Sequence, residues 1–418
     1  MSQPPLDCFA APDERIALDA ALRLLHARAA PCVGSERVRL RDAVGRYLAQ
    51  PVQAARDVPA FANAAVDGYA FAHASLAGGR RLRLLVGRAA AGHPFAAAVP
   101  AGSCLRVLTG APMPAGTDTV ALQEHVRRAG DAVEIPDRLP RGANRRMAGE
   151  DIAAGSVVLL PGRRLGPAEL GVLAELGLAE VEVFRPLRVA LLSSGDELLE
   201  PGTELRAGGV FDANRYILQG LLASLPTTIA DLGIVADDAS AVRAALAAAS
   251  ARYDVIITSG GASRGDEDHV VREAKTLGRL DFWQIALKPG RPLAIGRLGA
   301  ATFVGLPGNP VAAMICFLLL ARPLLARLAG GSWPEPRRHP VRAGFALAKQ
   351  PGRAELLRVR LAPDADGGWV ATSVPRQGSG VLTSMIEADG LAELAAERTA
   401  VAPGDRLPFL SFAELLAR

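Results

Sequence analysis

Between Asp254 and Ala313 the chain sets carboxylates, cations and hydroxyls on three glycine-bearing turns, each at the end of an apolar segment. The first, Ser259-Gly260-Gly261-Ala262-Ser263-Arg264-Gly265-Asp266-Glu267-Asp268, follows the β-branched run Val255–Thr258. Paired glycines let the backbone approach a ligand, Ser263 adds a hydroxyl, and a helix starting here presents free N–H groups to an anion. A plain tight turn is the alternative. Asp266, Glu267 and Asp268 are either favourable charges at a helix start or ligands for a Mg²⁺ held against a phosphate, since that ion takes one or two carboxylates plus waters and phosphate oxygens. A second acidic pair, Asp237-Asp238, closes the preceding strand and favours the metal reading. In the second turn, Lys288 and Arg291 are stiffened by Pro289 and Pro292. This is either a solvated loop or an oxyanion site, where a rigid turn fixes two cations with little entropic loss. The third, Gly305-Leu306-Pro307-Gly308-Asn309-Pro310, is a constrained strand-to-helix turn.

Other chemistries lack their signatures. The six histidines are dispersed, with no HExxH and no persuasive Ser-His-Asp order. There is no Walker A sequence, and the glycines are wrongly spaced for a dinucleotide fingerprint. Cys8, Cys32, Cys104 and Cys316 form no CxxC pair, which argues against a sulfur-bound metal and for thiols in a reducing cytosol. With 47 basic and 43 acidic residues scattered along the chain, no nucleic-acid surface is expected. Met1 to Glu14 lacks a signal-peptide core, and the apolar run Met314–Ala321 is too short to span a bilayer. A cytoplasmic protein without membrane attachment is expected.

These turns need elements to hold them. Strands at 187–192, 229–234, 255–258 and on either side of residue 300 alternate with helices at 213–224, 239–250 and 268–277. This predicts a three-layer, mostly parallel α/β domain over 186–330. Open sheets of this kind bind ligands outside the carboxyl ends of their strands. A helix is expected over 15–30 and another over 168–176, with Pro167 at its first position. Short apolar runs between Gly/Pro turns from Leu82 to Val133 predict a β-rich unit. The organisation expected is an N-terminal helix and linker domain over 1–57, interrupted by a β-rich insertion over 58–142 and resumed over 143–185. The α/β domain follows, then a small β domain over 331–418, opened by the linker Gly331-Ser-Trp-Pro-Glu-Pro.

Read in order, the segments DVPAF…VDGYA, LTGAPMPAG, GEDI, LLSSGDEL, DANR, TSGGASRGDEDH, LKPGRP, GLPGNP and PGR…RQGSG resemble the molybdopterin molybdenumtransferase family, the MoeA type related to the gephyrin E domain. The resemblance runs from about residue 15 to the C-terminus. It implies a multidomain α/β plus β fold: a molybdopterin-binding α/β domain, elongated and β-rich N-terminal domains, and a C-terminal barrel-like β domain. It also implies insertion of molybdate into adenylylated molybdopterin, Mg²⁺-assisted release of AMP, and a homodimer with its active site between the α/β domain of one subunit and the β-rich part of the other. A molybdopterin adenylyltransferase would be the upstream donor. Asp237, Ser263 and Asp268 would hold magnesium, while Gly260, Gly261 and Gly265 shape the substrate loop. Lys288, Arg291, Arg353 and Ser379 would form the molybdate site. Asp67, Thr109, Asp151 and Glu197 match positions linked to the pterin and the intersubunit cleft, and Pro307 and Pro310 shape the loop beneath it.

The chain departs from the family pattern at several positions. Ala62 and Ala64 stand where the family usually has Asp and Ser. Its arginine-rich run is thinned to Arg146-Met147-Ala148, Gln284 replaces a lysine, Ala312 a serine, and Gly380 a histidine. Each lost donor at an anion site costs about 1 kcal/mol of binding. The departures raise two alternatives, a tungstate-inserting paralogue and a non-catalytic cofactor-binding scaffold.

Overall fold

The computed structural model describes residues 15–260, 269–290, 292–364 and 366–417, without the side chains of residues 281–283, 292 and 417. At its centre is a six-stranded sheet in the order Thr227–Val235, Leu187–Ser194, Val255–Ser259, Ala301–Leu306, Pro292–Leu298, Gly278–Gln284. The first four strands are parallel, and the last two add an antiparallel hairpin and return. The central strands carry continuous apolar runs because both faces of the sheet are covered. One face packs into the core around Val189, Leu191 and Ile257, the other into that around Leu192, Ile256 and Phe303. The helices Ala213–Leu222, Ala239–Arg252 and His269–Leu277 fall where the sequence pattern puts them. The strand Gly278–Gln284 was not anticipated: its Gly-Arg-Leu-Asp-Phe-Trp-Gln sequence has no unbroken apolar run.

The apolar run at 314–321 belongs to a longer helical stretch, Pro310–Leu328, whose 19 residues suffice by length and composition to cross a membrane. Here it is a core helix, with 89% of its most apolar window buried. Its middle, Phe317–Ala321, widens into a π-type turn just before Pro323. Proline offers no N–H and crowds the preceding turn, and widening relieves both.

Around this domain the chain builds two further six-stranded sheets. One, Thr119–Leu122, Gly68–Phe71, Ser103–Val107, Arg81–Ala89, Ala132–Glu134, Arg127–Ala129, is the expected β-rich N-terminal unit. It joins the rest through a short ladder pairing Asn63 with Arg146 and Ala64 with Arg145. Before and after it run the N-terminal helix Leu18–Arg28, the paired strands Ser35–Arg39 and Glu180–Phe184, and the helix Pro167–Glu175 with Pro167 at its start. The other sheet follows the irregular stretch 331–338. In it the strands Ala354–Pro363, Trp369–Ser373, His339–Ala343, Arg406–Ser411 and Gly390–Leu394 close on themselves as a five-stranded barrel. The short strand Leu287–Lys288 pairs onto Ala354–Glu355 and so ties the barrel to the α/β domain.

Candidate active site at the carboxyl edge of the sheet

The chain moves outward from Leu187–Ser194 to Thr227–Val235 and then back to Val255–Ser259 on the other side, so the sheet's topological switch lies between Ser194 and Ser259. Gly260 sits there with φ +85°, and its N–H donates to the Leu306 carbonyl at 3.3 Å. A Cβ at this position would lie 2.9 Å from the Ser194 carbonyl oxygen, so both backbone angle and space require glycine. On one side of the switch Ser194 Oγ donates to Asp237 Oδ1 at 3.4 Å, and the Asp237 N–H donates to Asp196 Oδ1 at 3.2 Å. Glu197 is exposed, with its carboxylate folded back over Gly195. Asp238, the other half of the acidic pair, has a different task. It caps the helix Ala239–Arg252, accepting from the Ser240 and Ala241 N–H groups at 3.0 Å each. Bonds from the Ser240 side chain and the Ala241 N–H hold its pKa below the usual carboxylate range.

On the other side of Gly260, the Pro307 turn leads into the helix starting at Pro310. The Gly308 carbonyl is held by Asn214 Nδ2 at 2.7 Å, and the Val311 N–H donates to the Ser379 carbonyl at 3.1 Å. Ser379 itself stands in a loop fastened from behind by Arg358. That guanidinium is fully buried and donates to the Gly378 carbonyl at 3.0 Å and to Ser384 Oγ at 3.1 Å. Burial lowers the Arg358 pKa. Gln377 completes the loop by bonding both backbone groups of Arg358, at 3.0 and 2.8 Å.

The strand Gly278–Gln284 runs in the same direction as the parallel strands, so the Lys288 turn lies on the same edge. Lys288 Nζ is half-exposed and lies 3.2 and 3.3 Å from the two Glu355 carboxylate oxygens. Arg353, half-buried, precedes the Leu287–Ala354 pairing directly. Of the neighbouring arginines, Arg358 faces inward and Arg360 pairs with Glu387 at 2.7 Å. Arg353 stands at the bend just before this strand, outside both of those contacts.

The structure thus gathers Asp237, Glu197, Gly260, Pro307, Pro310, Lys288, Arg353 and Ser379 along one edge of the sheet and its barrel contact. Gly261, Ser263, Gly265, Asp268 and Arg291 lie outside the described residues. Among the described residues no three His, Cys, Asp or Glu side chains form a metal-binding cluster. Asp67 and Thr109 form a separate pair on the N-terminal β unit, and Asp151 stands apart from them, beyond the ladder by which the chain leaves that unit. Asp67 Oδ1 accepts from the Thr109 N–H at 2.8 Å and from Thr109 Oγ1 at 2.7 Å, and these bonds lower its pKa. Asp151 is exposed, and its N–H donates to the Val58 carbonyl at 3.0 Å. Sequence reasoning did not single out Asn214 or Glu355, and it meets Arg358 only as a rival to Arg353 for the anion site and Gln377 only as a residue of the RQGSG motif. Their signal was present in part: Asn214 and Glu355 lie inside recognisable motifs, DANR and the segment after PGR.

Three family profiles match in succession: "MoeA N-terminal region (domain I and II)" over residues 16–177, "Probable molybdopterin binding domain" over 190–327, and "MoeA C-terminal region (domain IV)" over 340–412. The molybdopterin molybdenumtransferase of Haemophilus influenzae is 38% identical over 384 residues, covering 91% of this chain and 95% of that protein. Molybdopterin molybdenumtransferase 2 of Mycobacterium tuberculosis H37Rv is 33% identical, covering 88% and 93%. The crystal structure of the molybdopterin biosynthesis MoeA protein from Pyrococcus horikoshii OT3 superposes with a TM-score of 0.82 at 27% identity, covering 96% of this chain and all of that one. The ordered motifs, the sheet edge they build and these likenesses agree: the chain belongs to the MoeA-type molybdopterin molybdenumtransferases, a family of transferase enzymes of molybdenum cofactor biosynthesis.

Proposed function

We propose that this chain inserts molybdate into adenylylated molybdopterin with Mg²⁺-dependent release of AMP. The observation that supports the reading is the contact of the α/β domain with the C-terminal domain at two points: Lys288 pairs beside Arg353 at Ala354–Glu355, and the Ser379 carbonyl accepts from Val311 on the turn next to Gly260. Molybdate is a tetrahedral dianion, and two fixed cations with a hydroxyl replace its hydration. Strands spaced about 4.8 Å apart separate this end of the edge from Asp237, leaving length for a pterin with its pyrophosphate between them.

Asp237 and Asp196 put oxygen donors at the switch point, which suits a hard divalent cation. In this reading Asp237, Ser263 and Asp268 hold Mg²⁺, which when bound supplies charge neutralisation on the scissile phosphate bridge. Gly260 brings backbone close to the pyrophosphate. Lys288, Arg353 and Ser379, together with Arg291, orient molybdate. A second copy of the chain supplies Asp67, Thr109 and Asp151 at the pterin, and a molybdopterin adenylyltransferase delivers the substrate in the cytoplasm.

The test is to combine the purified protein with adenylylated molybdopterin, Mg²⁺ and molybdate and to quantify AMP and active cofactor over time. Molybdate-dependent AMP release that is lost in Asp268→Ala is expected. Tight pterin binding with no AMP release under any oxyanion would overturn the transferase reading in favour of a scaffold.

A further inference from the structure

The cationic turn carries its own anion. Among the described residues Lys288 has one charged partner, Glu355, and Glu355 has Lys288. Register fixes the pair: Leu287 lies opposite Ala354 and Lys288 opposite Glu355, and the Ala354 N–H donates to the Ala286 carbonyl at 3.0 Å. The two side chains differ in freedom. Glu355 is 8% exposed and Lys288 54%, so the carboxylate is set in place while the ammonium reaches solvent. Arg353 lies two residues before Glu355, at the bend that leads into the strand Ala354–Pro363. The subsite is therefore bordered by a cation, a fixed carboxylate and a second cation.

We propose that Glu355 is a built-in counter-anion of the oxyanion subsite, holding Lys288 in position while weakening oxyanion binding. The inference rests on the reading that Lys288 and Arg353 receive the oxyanion. An ammonium has three donors, and contact with the two Glu355 oxygens leaves one for an incoming ligand. The ligand then sits beside a charge of its own sign, whose repulsion grows in proportion to the ligand's charge. Such a subsite binds its dianion reversibly and passes it on, where two unopposed cations would retain it.

Glu355→Gln keeps the side-chain shape and an oxygen acceptor for Lys288 while removing the charge. Equilibrium dialysis of wild type, Glu355→Gln and Lys288→Met would use molybdate and perrhenate, tetrahedral oxyanions of similar size carrying two charges and one. Glu355→Gln is expected to tighten molybdate binding about 10-fold and perrhenate about 3-fold, because the logarithm of the gain scales with ligand charge. The KM for molybdate should fall alongside, with pterin affinity unmoved. Lys288→Met should weaken both oxyanions. If Glu355→Gln binds both equally or more weakly while Lys288→Met loses binding, Glu355 is only a brace and the inference fails alone. If Lys288→Met binds molybdate as wild type does, the oxyanion subsite lies elsewhere and both readings fail. Urea denaturation of each variant shows whether a loss of binding reflects a loss of fold, and Glu355→Asp provides a second, charge-retaining comparison that should keep the wild-type ratio of the two affinities.

Discussion

At the residue scale, the side chains that matter are paired or braced, and most of that bracing is invisible in the sequence. Asp67 is legible as the Asp of an Asp-Gly turn, but its partner Thr109 is 42 residues away. Replacing Thr109 by Val removes the hydroxyl donor that helps hold Asp67 ionised, so the Asp67 pKa should rise towards its ordinary 3.8, measured by NMR titration of the carboxyl carbon. The sign follows from the depressed value: the Thr109 contacts contribute fully above the ordinary carboxylate range and are lost as pH falls through the lowered pKa. Arg358 is the opposite case. Its place next to Arg353 and Arg360 reads as one more cation at an anion site, and only the fold shows a buried guanidinium holding up the Ser379 loop. Arg358→Met leaves the Gly378 carbonyl and Ser384 without that partner and should cost about 2 kcal/mol in urea unfolding.

At the element scale, sequence and structure agree where periodicity and turn chemistry act locally. Strands such as Val255–Ser259 and helices such as Pro167–Glu175 were readable because β-branched runs and a first-turn proline have short-range causes. The strand Gly278–Gln284 was not, since its place at the sheet edge is set by pairing with Pro292–Leu298 rather than by its own composition. The Lys288 turn is defined by packing as well. Gly290 has φ +125°, and a Cβ there would lie 2.6 Å from Cys316 Sγ on the core helix. Gly290→Ala should destabilise by about 1–3 kcal/mol, and adding Cys316→Ala should recover part of that loss by removing the collision while leaving the backbone strain. Thermal unfolding of the single and double variants separates the two causes. On the neighbouring turn, Asn214→Ala frees the Gly308 carbonyl. A loss of about 1 kcal/mol, with faster amide exchange at Gly308 and Asn309 in hydrogen-exchange mass spectrometry, is the expected result.

At the scale of the whole molecule, two distant parts of the chain meet on the segment carrying Lys288. Ile16 near the N-terminus donates to the Gln284 carbonyl at 3.2 Å and accepts from the Ala286 N–H at 2.8 Å, while Ala354 of the barrel bonds the same residue, Ala286. Ile16→Pro removes the first of these bonds and should loosen the segment, seen as faster exchange at Ala286 to Lys288 and a lower melting temperature. None of this connectivity is readable locally, because it joins residues far apart in the chain. The motif order showed which segments belong together without showing what touches what. The short ladder of Asn63–Ala64 with Arg145–Arg146 has a consequence of another kind. The two ends of the β-rich unit leave the body side by side, about 5 Å apart at the paired Cα atoms. The whole outer unit thus hangs from a doorway the width of one strand pair. A chain spliced there with a tight two-residue turn should still build the sheet and barrel, making the outer unit a cassette that can be removed or exchanged between relatives.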